Sequence, residues 1–237
     1  MRAVRPPALR GRVTCAGCAW PQGRRTRKGV KSRVNIAETS HWLDLLLPAP
    51  DSEDGLPGAV YRTYGDLTCR VHNLGAQLAY ATCNYSRGGT GMRTTAAALG
   101  LEGDPEREFD CAVEIITVAH TSGADVLDAV CAALATPREE MPQPGVVYDD
   151  LADGLHGLFI MPYLWEQGAP RIVQEAAELG RADGQPGLVT LLVQLLLLTG
   201  EEREILSTRG MDALQEELLA RGTDLNDVHR ESHSPNA

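Results

Sequence analysis

Lysine is almost missing from this 237-residue chain. Both copies, Lys28 and Lys31, fall in the first 35 residues, and every Lys/Arg cation beyond them is arginine. Long apolar runs are missing too. The longest, residues 188–198, is interrupted by Thr190 and Gln194, and a membrane helix needs about 20 apolar residues. No segment is therefore expected to span a bilayer. Cysteine is sparse: six residues at 15, 18, 69, 83, 111 and 131 are too few and too scattered for a disulfide-stapled secreted domain. Cys111 and Cys131 sit in apolar-patterned segments and read as small core residues. The amino terminus is basic but has no apolar run of the kind a secretory signal carries. The expectation is a chain of the reducing cytoplasm.

Signatures of catalysis are equally scarce. Cys15-Ala-Gly-Cys18 is the sole Cys-x-x-Cys pair. A closed zinc site needs four ligands, and a redox pair needs a strand before it and a helix after it; here the surroundings are rich in Pro and Arg. The glycine-rich stretch 86–91 is followed by Met92-Arg93, not by the Lys-Ser/Thr that opens a phosphate-cradling helix. His229 and His233 have a metal-like spacing but lie in the tail. No Gly-x-Ser-x-Gly elbow is present. We therefore assign no catalytic residue, no metal ligand and no cofactor.

What the chain does have is a charge split. Residues 1–35 hold ten of the 22 basic residues and no acid, so the rest carries 12 basic against 32 acidic residues, a net of −20. A body this acidic repels phosphate backbones, which argues against nucleic acid. It attracts a basic protein, which is the partner expected. The head lacks periodicity and reads as disordered; an organelle transit peptide or sequence upstream of a later start would have a similar composition.

The body, from Ile36, alternates short apolar segments with turns. Residues 38–47 pattern as an amphipathic helix. Residues 60–64 form a strand, and 67–74 with 77–83 a hairpin around Gly75. Residues 86–108 read as a loop. Residues 109–118 alternate as a half-buried strand, and Ser122 with Asp125 predicts a capped helix whose stripe is Val126, Leu127, Val130, Cys131 and Leu134. Further strands are expected at 146–148, 155–160 and 172–175. Residues 188–198 form the most apolar strand, because Thr199 and Glu202 make a capping box where the run ends. Two helices follow, divided at Gly210; the second carries Met211, Leu214 and Leu218 on one face. The expected fold class is α+β: a mixed, mainly antiparallel sheet with flanking helices in a single domain.

Two groups stand out as candidate partner-binding residues. Asp149, Asp150 and Asp153 form an acid cluster, with Glu139-Glu140 nearby, and read as a solvated acidic loop able to touch a basic partner. Tyr163 and Trp165 sit in Pro162-Tyr163-Leu164-Trp165, where two aromatics fall within three positions of a chain that is 5% aromatic. Tyr and Trp are common binding anchors.

The order of these motifs resembles the suppressor-of-fused-like domain family in its bacterial form. The resemblance rests on the Pro-aromatic-Leu-Trp corner at 162–165, and on the closing strand that leads into Thr199, Glu202, Gly210, Ala213 and Leu214. It rests also on the tail Asp224-Leu225-Asn226-Asp227-Val228-His229-Arg230, on the strand and helix at 109–134 and, more weakly, on Tyr80 to Ser86. It covers residues 36–232, with 1–35 a disordered head and 233–237 a frayed tail. It implies binding. Animal members of the family sequester a transcription-factor peptide, partly by adding it as a strand; bacterial members resemble immunity proteins that neutralise a toxin. It transfers no catalytic or peptide-clamping residue. The sequence reading is therefore a non-enzymatic protein-binding domain of the immunity type. A hydrolase or metal-dependent enzyme built from dispersed acids and histidines, or a regulatory scaffold that sequesters a peptide, are the alternatives.

Overall fold

Two long strands organise the chain. The computed structural model describes residues 36–47, 59–85, 90–136, 138, 140–163, 165 and 169–230. The basic head with Cys15 and Cys18, the acidic loop at 49–58, residues 86–89, Glu139, Leu164 and the tail from 231 lie outside the described residues.

In chain order the elements are α1 (Ile36–Leu46), β1 (Ala59–Tyr64), β2 (Leu67–Asn73), β3 (Gln77–Thr82), β4 (Arg93–Thr95), β5 (Glu108–His120), a 3-10 turn (Thr121–Gly123), α2 (Ala124–Leu134), β6 (Val147–Ala152), β7 (Leu155–Ile160), β8 (Arg171–Gln174), β9 (Gly187–Leu198) and α3 (Gly200–Arg221). One sheet runs β1-β2-β3-β5-β9-β7-β6. Its two longest strands, β5 and β9, pair in parallel through Phe109↔Gly187 to Ile116↔Gln194; every other described pairing is antiparallel. On its far edge β5 pairs first with β4 and then with β3. On its far edge β9 pairs first with β8 and then with β7. A parallel central pair bounded by shorter antiparallel strands is the mixed α+β sheet the sequence patterning predicts.

Both central strands are buried on both faces, which explains their near-continuous apolar sequences. β5 is therefore not half-buried as its alternation suggested: Glu114 faces inward at 0% exposure. It is tolerated because Thr82 Oγ1 donates to it at 2.5 Å and the Tyr85 N–H at 3.0 Å. Buried carboxylates need such partners. One face carries α2, whose Val126, Leu127, Val130, Cys131 and Leu134 meet Val113, Ile115, Val193 and Leu195. At the other end of the same face the stretch after β4 turns back, and Ala96 and Leu99 pack on Phe109, Cys111 and Val189. Residues 90–107 thus supply a strand and part of the core, not a loop alone; too few apolar side chains, separated by glycines and charges, hid this.

The opposite face is read along the even positions of β9. Leu192 lies under α1, with Leu43 and Leu47. Gln194 follows, and Leu196 and Leu198 lie under α3 with Leu214. The α3 cap forms as expected: the Glu202 N–H donates to Thr199 Oγ1 at 3.4 Å, and the Thr199 N–H donates to Glu202 Oε2 at 2.8 Å. Gly210, at φ 86° and ψ 179°, is non-helical and divides α3 into two helices at a kink, as the sequence predicts. Met211 is exposed, although Leu214 on the same expected face is buried. The predicted Ser122 cap does not form. Ser122 lies in the 3-10 turn, and Gly123 takes the cap position with no side-chain hydrogen bond. Among the described residues no helix is long and apolar enough to cross a membrane.

Candidate functional site

Because β5 and β9 run parallel, their carboxyl ends lie on the same side of the sheet, and each leads into a helix there: β5 through the 3-10 turn into α2, β9 through Thr199 into α3. Helix amino termini present unpaired N–H groups, so this end of the molecule is rich in local polarity. The β6–β7 turn and the last described segment, residues 223–230, meet at the same place. Between them lies an open pocket of about 280 Å³, bordered by Val126, Asp153 and Gly154, the Thr199-Gly200 junction, and His229 and Arg230.

Residues 223–230 form a strap held by side chains at both ends. The His120 N–H donates to the Asn226 carbonyl at 2.8 Å, and His120 Nε2 lies 2.8 Å from Asp224 Oδ2. The hydrogen bond to Asp224 raises the His120 pKa, against the opposing effect of burial. Val228 is buried against the α2 cluster. Arg230 ends the strap on Glu202, donating Nη2 to Oε2 at 2.7 Å and Nε to Oε1 at 3.0 Å, with a further Nη2 bond of 2.5 Å to the Leu197 carbonyl. Glu202 thus closes the α3 cap and anchors the strap with one carboxylate.

The acid cluster is divided by its own backbone. Asp149 and Asp150 lie on β6, in a hairpin whose register slips between Tyr148 and Ala152. They are strand residues, not the loop that the sequence suggested. The irregularity is a bulge at Asp150, which has φ 50°, followed by a turn with Asp153 at φ 49°. Asp tolerates this left-handed backbone better than most residues do. The Asp149 carboxylate turns toward α3, taking Arg203 Nε at 2.7 Å and Nη2 at 3.3 Å, and lies 3.0 Å from His156 Nδ1. The Arg203 hydrogen bond holds Asp149 below the usual carboxylate range. Asp150 and Asp153 are exposed. All three acids are exposed; Asp149 is engaged by Arg203 and His156, and Asp153 lies on the pocket.

Tyr163 and Trp165 are elsewhere, on the face that carries α1 and α3. The Tyr163 N–H donates to Gln194 Oε1 at 3.3 Å, and burial raises its phenol pKa. Trp165 packs with Trp42 and Leu46 against the α1 cluster. The corner covers the strip of sheet between the two helices, and both residues are only partly exposed. The structure therefore does not bring the aromatic pair and the acidic turn into one site. Neither did the sequence signal the pocket, whose walls come from segments over a hundred residues apart. Among the described residues no group of three or more His, Cys, Asp or Glu side chains is placed to hold a metal ion.

No family model matches the chain, and no curated protein matches it. Among solved structures it is similar to a protein proposed to be a SUFU (suppressor of fused protein) homolog from Neisseria gonorrhoeae. That likeness has 15% sequence identity and a TM-score of 0.46, and covers 84% of this chain and 97% of the other.

Proposed function

We propose that this chain is a protein-binding domain that takes a basic protein partner, acting as an immunity-type protein that neutralises a toxin. The observation that carries the reading is how the cations are used. Nine of the eleven described arginines hold a carboxylate of the same chain: Arg62, Arg70, Arg93, Arg107, Arg181, Arg203, Arg209, Arg221 and Arg230. The other two serve backbone carbonyls, Arg138 that of Asp149 and Arg171 that of Leu99. Most of the described arginines are thus drawn into ion pairs with acids of the same chain, while Asp125, Asp150, Asp153, Glu204, Asp212 and Glu216 are exposed. A surface of that kind steers a cationic partner and accelerates its encounter. Asp150 and Asp153 are the contacts we assign first, since among the described residues no cation pairs with their carboxylates as Arg203 pairs with that of Asp149. Tyr163 and Trp165 would add apolar contact on the other face.

Purification from the native host tests the reading: one dominant basic protein should accompany the chain, and expression of the chain should protect cells from a toxin encoded beside it. A chain that stays alone at micromolar concentration and protects nothing overturns it.

A further inference from the structure

Among the described residues four strands of the sheet are paired on one side only: β1, β4, β6 and β8. The open side of such a strand offers unpaired N–H and C=O groups to a further strand, and folded proteins blunt it with shortness, charge, proline or a bulge. Three of the four are blunted in this way. β4 and β8 have three and four residues. β6 has the register slip at Asp150 and exposes Asp149 and Asp150. β1 has none of these devices. Its six residues pair with β2 from Ala59↔His72 to Tyr64↔Leu67 without a slip, and residues 60–63 are exposed. Val60 and Tyr61 are two of the six exposed large hydrophobic residues among those described. The side chains of the strand are already held in place. Tyr61 donates its hydroxyl to Ser40 Oγ at 2.7 Å, and the Arg70 guanidinium lies 4.6 Å from its ring centre. Arg62, the only charge on β1, is paired with Asp128.

We propose that β1 is a self-association edge: β1 of one copy pairs antiparallel with β1 of a second copy and joins the two sheets. Charge and register both select a second copy as the occupant. Two bodies of net −20 repel each other over most of their surface, but residues 59–83, which form β1, β2 and β3, hold two arginines and one aspartate. This is the edge at which two such bodies can approach. A cationic partner is drawn to acids that β1 does not carry. In an antiparallel pair, facing residues direct their backbone groups either toward each other or both away, so a two-fold symmetric β1 pair must centre on a residue. Centred on Arg62, it sets two arginines face to face, which is unfavourable. Centred on Tyr61, it sets Tyr61 against Tyr61, Val60 against Arg62 and Ala59 against Thr63. No like charges oppose, and the aromatic pair at the centre is a favourable one. Centres nearer either end pair fewer residues. The contact is one strand wide, so the dimer belongs to the weak class of interfaces below about 1,200 Å².

The test is sedimentation velocity with hydrogen exchange on the full chain, from roughly 1 to 200 μM, the range in which contacts of this size form. The mass should move from monomer toward dimer, and the peptide spanning 59–64 should gain exchange protection in step with it. The contact is apolar and hydrogen-bonded between two acidic bodies. The dimer should therefore tighten as salt rises from about 50 to 300 mM, the opposite of the response of a basic partner. Val60→Lys, at an exposed position, sets a lysine against Arg62 of the other copy on both sides of the two-fold and should weaken the dimer about fivefold or more. Tyr61→Cys should give, under mild oxidation, a dimer whose bridge maps to position 61; Thr63→Cys should not bridge at position 63. The cysteine variants decide the matter if the lysine variant fails to fold. Five results overturn the proposal: a monomer across the whole range, a dimer that salt loosens, a dimer indifferent to Val60→Lys, bridging through position 63 in place of 61, or protection of 59–64 that does not depend on concentration, which would mean that a segment of the same chain covers the edge.

Discussion

Glu202 and Arg230 meet with 8% and 9% of their side chains exposed, and the consequences of separating them follow from that burial. Removing one partner leaves the other charge stranded, which typically costs about 3–5 kcal/mol. Arg230→Ala should therefore lower stability by that order in urea melts, more than Thr199→Ala, whose lost cap is worth about 1 kcal/mol. The strap's other end responds to pH. The His120 pKa is raised in the fold by Asp224, so its contribution is complete below the unfolded value, about 6.5, and is lost as pH rises through the folded value. Buried His72 has a lowered pKa, chiefly from desolvation, and acts in the opposite sense, losing stability as pH falls below the unfolded value. The difference between wild-type and His120→Gln melting temperatures isolates the strap. It should shrink as pH rises from 6 to 9; a pH-independent difference would contradict the pairing. The Thr199–Glu202 cap is legible in the sequence because its partners are three residues apart. The second use of Glu202 is not, because Arg230 reaches it only after α3 and the strap have folded back.

At the scale of elements, α3 shows how far local signals reach. Gly210 reads correctly as a break, and the backbone there, φ 86° with ψ 179°, is one that a side chain resists. Gly210→Ala should cost about 1–3 kcal/mol, measurable as a lower midpoint in thermal circular dichroism with little change in helix content. Gly187→Ala should be at least as damaging for a different reason. An added Cβ would meet the Phe109 ring at 2.6 Å and the Gln174 carbonyl at 2.7 Å, and the carbonyl belongs to β8, which must move for it. The apolar run of β9, broken only by Thr190 and Gln194, marks the most buried strand, and the α2 stripe is read residue for residue. Ser122 and Asp125 mislead because the chain tightens into a 3-10 turn before the helix, which moves the cap to Gly123. The β4 segment escapes notice because its burial depends on β5 and β9, not on its own pattern.

Over the whole molecule, charge is the property sequence states best and places worst. The net of −20 beyond residue 35 is a count; which carboxylates remain available depends on the arginine pairing that folding imposes. Asp149 illustrates the difference, adjacent in sequence to Asp150 yet bound to Arg203 and His156. The pocket at the carboxyl ends of β5 and β9 is likewise a product of topology. Its position follows once the parallel pair is known, and no local motif encodes that pair.

The central claim, recognition of a basic protein by the exposed acids, is tested most directly by titrating the purified partner against this chain at increasing salt. Association should slow steeply as salt rises from 50 to 300 mM, in line with screening over about 10 Å. The double substitution Asp150→Asn with Asp153→Asn should reduce the association rate about threefold or more at low salt and flatten its salt dependence. Binding that is indifferent to salt and untouched by the double substitution would contradict the account.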